Sequence, residues 1–326
     1  MAKKAPRSWG YWTEGKLDIL ARYLDRFTTT TKYKADARIY LDAFAGEGLG
    51  TSRTTSTQFE GSARIGLKVS DPPFDRCYFF ELGDKAAELE RELTRDFPGR
   101  DVRVVPGDCN ATIPAALTEL RRDNLDWAPT FAFLDPDGME LRWETIQALA
   151  THKQLRQAPA KTKVELWVLF PSGGLLRNLA LDDRKLLPGH VAKATSLFGS
   201  DAWKRIYQAR TAQQIDGQEA RERYVNLYRW QLEQDLGYRR AHPIEVKDNR
   251  DRPIYHLIFA TDSEPGDKIM SHLYGDALTN WPQMREQARR RSPGGEQLAL
   301  LEGPENAATF RTKAYSYEPA ADPASM

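Results

Sequence analysis

Five short apolar runs, each closing on a polar or glycine-containing turn, constrain this chain more than any other feature. They read RIYLDAFAGEG, RCYFFEL, VRVVPGD, TFAFLDPDG and VELWVLFPSGG, and segments with helical patterning separate them. After the first run comes GSARIGLKVS. After the second comes DKAAELERELTRDF, a set of good helix formers that stops before Pro98-Gly99. A helix capped by Asn110 follows the third, and residues 142–151 follow the fourth. Strands alternating with helices build a parallel sheet covered on both faces. Near-continuous apolar strands are those buried on both sides. Right-handed crossovers then bring the C-terminal strand ends to one edge. The polar motifs stand at those ends: Asp42 to Gly48, Glu81, Asp108 and Asp135. Ligands of open α/β sheets bind along that edge. The expected fold is therefore α/β and doubly wound, mostly parallel.

The remaining segments organise around that core. Residues 1–34 form an N-terminal helical segment, with Leu17, Leu20, Leu24 and Phe27 on one face of a helix over 14–27 and Thr28 to Thr31 breaking it. The core takes residues 35–174 and 238–280. Between them, 175–237 reads as a helical insertion, clearest over 217–236, where Tyr224, Leu227, Tyr228 and Leu232 share a face. HPIEV and PIYHLIFAT, separated by KDNRDR, read as an antiparallel hairpin, and a helix over about 266–274 follows. Over 285–326 Pro, Gly, Glu and Ala dominate, and we expect a mobile tail there.

Composition excludes more than it assigns. The 47 basic and 46 acidic residues nearly cancel, so gross charge favours neither nucleic acid nor a membrane surface, although a local basic face stays open. The first residues lack the apolar run of a signal peptide, and no stretch reaches the ~20 apolar residues of a span. Two cysteines, Cys77 and Cys109, and five histidines show no ligand spacing. We expect a cytoplasmic protein with no membrane segment and no metal.

The strand-end residues carry the chemistry. In LDAFAGEG, Gly46 and Gly48 leave bare backbone against which a ligand with a carboxylate and a sulfonium can lie, with Phe44 between them and Asp42. Asp42 can accept from the ligand's amino group, Glu81 from both ribose hydroxyls, and Asp108, beside Cys109, from the adenine amino group. The plainer alternatives are a strand-to-helix turn and acids placed at helix starts. A nicotinamide site would prefer G-x-G-x-x-G with an acid about 20 residues on. Here the turn has no third glycine in register. Glu81 comes much further downstream, beyond the Ser/Thr-rich TSRTTSTQFEGS, which reads as a surface loop or a lid.

Over residues 35 to 262 this pattern resembles the class I S-adenosylmethionine-dependent methyltransferases, with their Rossmann-like sheet. It is closer still to the three-Cys-motif partner proteins, a bacterial methyltransferase-like family. YWTEGKLDILARYL, YLDAFAGEG, FEGSARIGL, FFEL, GDCN and FAFLDPDG carry the resemblance. It implies S-adenosyl-L-methionine as cofactor and a partner protein with a three-cysteine, radical-SAM-like motif. FLDPDG is similar to the acceptor motif of amino-group methyltransferases, which implies that Asp135 and Pro136 orient a target amine. Asp137 stands where that motif has an aromatic residue, which puts base stacking in doubt. Phe170 can stack instead or can be a core aromatic. Arg177, with Arg205, Arg210, Arg221, Arg223 and Arg229, can hold phosphates or line a solvated surface. The resulting expectation is N-methylation of a nucleic-acid base or another amino-group acceptor. The alternative is a non-catalytic module that binds a partner protein.

Overall fold

The apolar runs fold as the alternation demands. The computed structural model describes residues 8–52, 58–155, 162–181, 186–290 and 315–326. A short strand β1 (Ser8–Trp9) leads into helix α1 (Tyr11–Thr31). This helix outruns its leucine pattern at both ends. The threonine run stays helical, with Thr29, Thr30 and Thr31 turning their hydroxyls back to carbonyls one turn earlier, on Asp25 and Phe27.

Next come β2 (Ile39–Asp42), β3 (Leu49–Ser52), β4 (Gln58–Glu60) and α2 (Ser62–Lys68). Then follow β5 (Arg76–Glu81), α3 (Asp84–Asp96), β6 (Val102–Pro106) and α4 (Cys109–Arg122). β7 (Thr130–Leu134), α5 (Trp143–His152) and β8 (Glu165–Phe170) complete the parallel part. The helical stretch contains α6 (Ser172–Asn178), α7 (Pro188–Phe198), α8 (Trp203–Thr211) and α9 (Gly217–Trp230), which passes into a π-helical turn over Gln231–Asp235. The chain returns through β9 (Arg240–Lys247) and β10 (Pro253–Thr261) to α10 (Glu264–Arg290).

Seven strands make the main sheet in the order β6-β5-β2-β7-β8-β10-β9. β6, β5, β2, β7 and β8 run parallel, and β10 is antiparallel to both β8 and β9. This is a doubly wound, Rossmann-like sheet with a C-terminal antiparallel hairpin. The chain steps outward from β2 to β5 and β6, then crosses to β7 and β8 on the other side. The order therefore reverses between β2 and β7, and such a switch point opens a crevice beyond the strand ends.

Strand alternation sorts the core into two layers. Ile39, Leu41, Tyr78, Phe80, Leu134, Val168 and Phe170 face α4, α5 and the helices α6–α9. Tyr40, Phe79, Phe131, Phe133, Trp167 and Leu169 face α1, α2, α3 and α10. α2 lies so close that a Cβ on Gly66 would come within 2.4 Å of the Tyr40 ring.

Two segments depart from expectation. The ends of the Ser/Thr-rich stretch pair as strands, Thr51 opposite Gln58, and β1 adds to β3 in parallel. Residues 53–57 of that stretch lie outside the described residues. α10 runs far past residue 274 because Met270, Leu273, Tyr274, Ala277 and Trp281 keep one buried stripe, with Trp281 against Gly15 of α1. Of the tail read as mobile over 285–326, residues up to Arg290 belong to this helix. Residues 315–326 lie along α9 and β9, held through Tyr315, Tyr317 and Ala320, and 291–314 lie outside the described residues.

Candidate active site

β2 ends on Asp42, whose register partners on the neighbouring strands are Phe79 and Phe133. Glu81 and Asp135 each lie two residues beyond those partners. The switch point between β2 and β7 thus carries Asp42 and Asp135 at its strand ends, with Glu81 at the end of the neighbouring β5, all on the layer that α1 covers.

Asp42 is fully buried. It accepts from the Phe44 N–H at 3.3 Å and lies 3.5 Å from the Tyr40 hydroxyl. Burial pushes its carboxyl up to about 7, and the negative charges of Asp135 and Glu81 push the same way. Hydrogen bonds from Ser62 and from the Phe44 amide oppose them. Glu81 closes the turn: one oxygen accepts the Gly46 N–H at 2.7 Å and the other the Leu82 N–H at 2.9 Å. Gly46 and Gly48 both have positive φ, +66° and +69°, which favours glycine. A Cβ at Gly46 would meet nothing within 4 Å, so its backbone faces open space. Phe44 is half-buried against the core.

Asp135 pairs with Lys16 of α1. The Lys16 side chain is 7% exposed and that of Asp135 is 22% exposed. The ammonium also lies over two aromatic rings, 5.8 Å from the Phe133 centroid and 5.9 Å from that of Tyr255. The hydroxyl of Tyr255 is buried and has no hydrogen-bond partner among the described residues. Burial raises the phenol well above its ordinary range, and the negative charge of Asp135 adds to this.

Other strand-end residues have structural work. Asp108 is the N-cap of α4, accepting from the Asn110 N–H at 2.9 Å, and Arg142 approaches it to 3.5 Å. Asn110 ties this cap to α5 through the Glu140 carbonyl, the Arg142 amide and Thr145. Cys109 is buried, and burial pushes its thiol up to about 12, which leaves no reactive thiolate at neutral pH. Pro136 is buried beside the exposed Asp137.

Phe170 is a correction. Its side chain belongs to the opposite layer from Asp42 and Asp135, fully buried against Phe198 and Tyr228 with ring centroids 5.8 and 4.9 Å away. It offers no stacking surface to the crevice. Arg177 is exposed at the end of α6. Arg210 is turned inward and donates to the carbonyls of Leu176 and Leu179, so it is not part of an open basic face.

Three residues escaped the sequence reading. Lys16 occupies the apolar stripe of α1 with Leu20, Tyr23 and Phe27, and a lysine in such a stripe was the available signal. Tyr255 looks like any strand aromatic until β10 is seen beside α1. Leu82 follows Glu81 and is 62% exposed, an apolar surface at the edge of the crevice. Among the described residues, no group of three or more His, Cys, Asp or Glu could hold a metal ion, and no helix is long and apolar enough to cross a membrane.

No family model matches the chain, and no curated protein matches it. Among solved structures it is similar to protein LPL1258 from Legionella pneumophila, with 14% identity over 55% of this chain and 73% of that one, at a TM-score of 0.34. It is also similar to precorrin-6y C5,15-methyltransferase from Geobacter metallireducens, with 13% identity over 76% of this chain and 88% of that one, at a TM-score of 0.31.

Proposed function

We propose that the chain is an S-adenosyl-L-methionine-dependent methyltransferase of the bacterial cytoplasm, acting on an amino group of a nucleic-acid base or of another acceptor. The observation that supports this most is the gathering of Asp42, Glu81 and Asp135 beside the open backbone of Gly46 at the switch point. When bound, the cofactor supplies an electrophilic methyl group on a positively charged sulfur. A crevice rich in carboxylates suits such a cationic ligand. Asp42, buried and short of positive partners, would hold the amino group. Glu81 has lone pairs left beyond its two backbone bonds and would accept from the ribose hydroxyls. Leu82 would lie against the purine face, with Asp108 and Cys109 at the adenine end. Asp135 and the Pro136 carbonyl would orient the acceptor nitrogen, and positioning of this kind supplies much of the rate in group transfer. In this reading the helices of 175–237 are an insertion on the core over 35–174 and 238–280.

A second reading is a non-catalytic module that binds a three-cysteine partner protein. Two observations favour it: Lys16 already occupies Asp135, and Asp137 replaces the aromatic of the acceptor motif. Labelled-methyl transfer into a cell extract from a strain lacking the gene separates the two readings. An enzyme labels an acceptor, and Asp135→Ala abolishes labelling while cofactor affinity stays. A cofactor that binds with no acceptor labelled in RNA, DNA, protein or small-molecule fractions would favour the module.

A further inference from the structure

We propose that the space beside Asp135 is an alkylammonium subsite, filled in the resting chain by Lys16, and that the acceptor is an aliphatic amine that enters as Lys16 leaves. This rests on the methyltransferase reading and narrows it to one substrate class. Three observations carry it. First, the group now on Asp135 is itself an alkylammonium, 7% exposed, lying within 6 Å of the Phe133 and Tyr255 ring centroids. A carboxylate with two aromatic rings is a recognised environment for an ammonium group, since ring faces attract cations and the carboxylate neutralises them. Second, the Tyr255 hydroxyl is buried with no partner among the described residues. Buried polar groups rarely go without partners, and one beside an ionic site is suited to receive a ligand. Third, a nucleobase finds little here. Its exocyclic amine is uncharged, so it gains nothing from the rings as a cation. Asp137 is an exposed carboxylate where an aromatic would stack on a base, and Phe170 belongs to the other sheet layer.

The transfer step balances with the groups present. The ammonium gives a proton to the Asp135 carboxylate, and its nitrogen lone pair then forms an N–C bond to the methyl group. The S–C bond breaks with its electron pair on sulfur. The product is a methylammonium and a neutral thioether, and Asp135 releases its proton to water.

The test uses Lys16→Ala, which removes the resident ammonium. The probe is n-butylammonium, the length of a lysine side chain, with n-butanol as uncharged control at constant ionic strength. We expect Lys16→Ala to bind butylammonium about ten-fold more tightly than the wild type, by calorimetry and thermal midpoint. Butanol should have no effect, and adding Asp135→Asn should remove the response. No binding, or equal binding of the alcohol, overturns the proposal. Should Lys16→Ala fail to fold, the wild type decides through labelled methyl transfer to n-butylamine against bulk RNA. Label on the amine alone supports the subsite. Label on RNA alone overturns it and leaves the methyltransferase reading standing. Absence of cofactor binding by calorimetry overturns both.

Discussion

Two polar clusters of this protein differ in one respect: whether their groups have found all their partners. Where the tail meets β9, His242 is bonded on both ring nitrogens, to Asp267 at 2.7 Å and to the Tyr315 hydroxyl at 2.9 Å. Glu233 accepts from the Tyr317 hydroxyl at 2.5 Å and from the Ala320 amide at 3.0 Å. Arg240 covers the Tyr317 ring at 4.8 Å. At the switch point, by contrast, among the described residues Asp42 is buried without an ion pair and the Tyr255 hydroxyl is unpartnered, and open space lies where a Cβ on Gly46 would stand. A completed network rigidifies a fold, and an incomplete one marks where a ligand makes up the difference. Substitutions in the two clusters should therefore fail in opposite ways.

The largest effect is expected at Asp135. Asp135→Asn keeps a hydrogen-bond acceptor for Lys16 but removes the charge and the base. Methyl transfer should fall by roughly 10²-fold or more in kcat/KM, while stability to denaturant changes by about 1–2 kcal/mol. Glu233→Ala should do the reverse. It strands the Tyr317 hydroxyl and the Ala320 amide and removes the carboxylate 3.7 Å from Arg229, which keeps its bonds to the Ala241 and Glu318 carbonyls. Urea unfolding should register a loss of about 3 kcal/mol, with cofactor affinity retained. Cofactor binding lost in Glu233→Ala at a temperature where it remains folded would break the contrast.

The same contrast was only half legible in the sequence. The sheet was readable because five apolar runs alternate with helical segments, a local pattern that needs no tertiary knowledge. Asp42, Glu81 and Asp135 followed from it, since strand ends share an edge. Lys16 did not follow, because its meaning depends on α1 crossing the end of β7, which no local period encodes. Phe170 was ambiguous for a similar reason: in a strand buried on both sides, alternation does not say which layer holds the ligand. The bulk composition of the tail points to mobility, whereas the docking of residues 315–326 depends on Tyr315, Tyr317 and Ala320. Asp108 follows the third strand, and it, rather than Asn110, caps the next helix, because its carboxylate accepts the Asn110 N–H.

The clusters should also answer pH in opposite directions. Folded Asp42 titrates near 7, raised by burial, against 3.8 when exposed. Between about pH 4 and 7 the folded state keeps a proton that the unfolded state has lost, so this group makes stability fall as pH rises. Folded His242 titrates near 4 against 6.5, lowered chiefly by burial and also by the charges of Arg229 and Arg240, with Asp267 opposing. There the unfolded state binds the extra proton, so stability falls as pH drops from about 6.5 to 4. Thermal midpoints across pH 4 to 8 should separate them. Relative to wild type, Asp42→Asn should gain stability toward pH 7, and His242→Gln should gain toward pH 4. Parallel profiles for the two variants would contradict the opposite settings. The smallest effect is expected for Tyr317→Phe, which loses one bond to Glu233 and should cost about 1 kcal/mol in urea unfolding.

One titration bears on the central claim most directly: S-adenosyl-L-methionine into the wild type and into Glu81→Ala, followed by calorimetry. We expect the wild type to bind and the variant to bind roughly 10- to 100-fold more weakly, the worth of losing hydrogen bonds to a charged carboxylate. A wild type that takes up no cofactor, or two proteins with the same affinity, would contradict a cofactor site at this crevice.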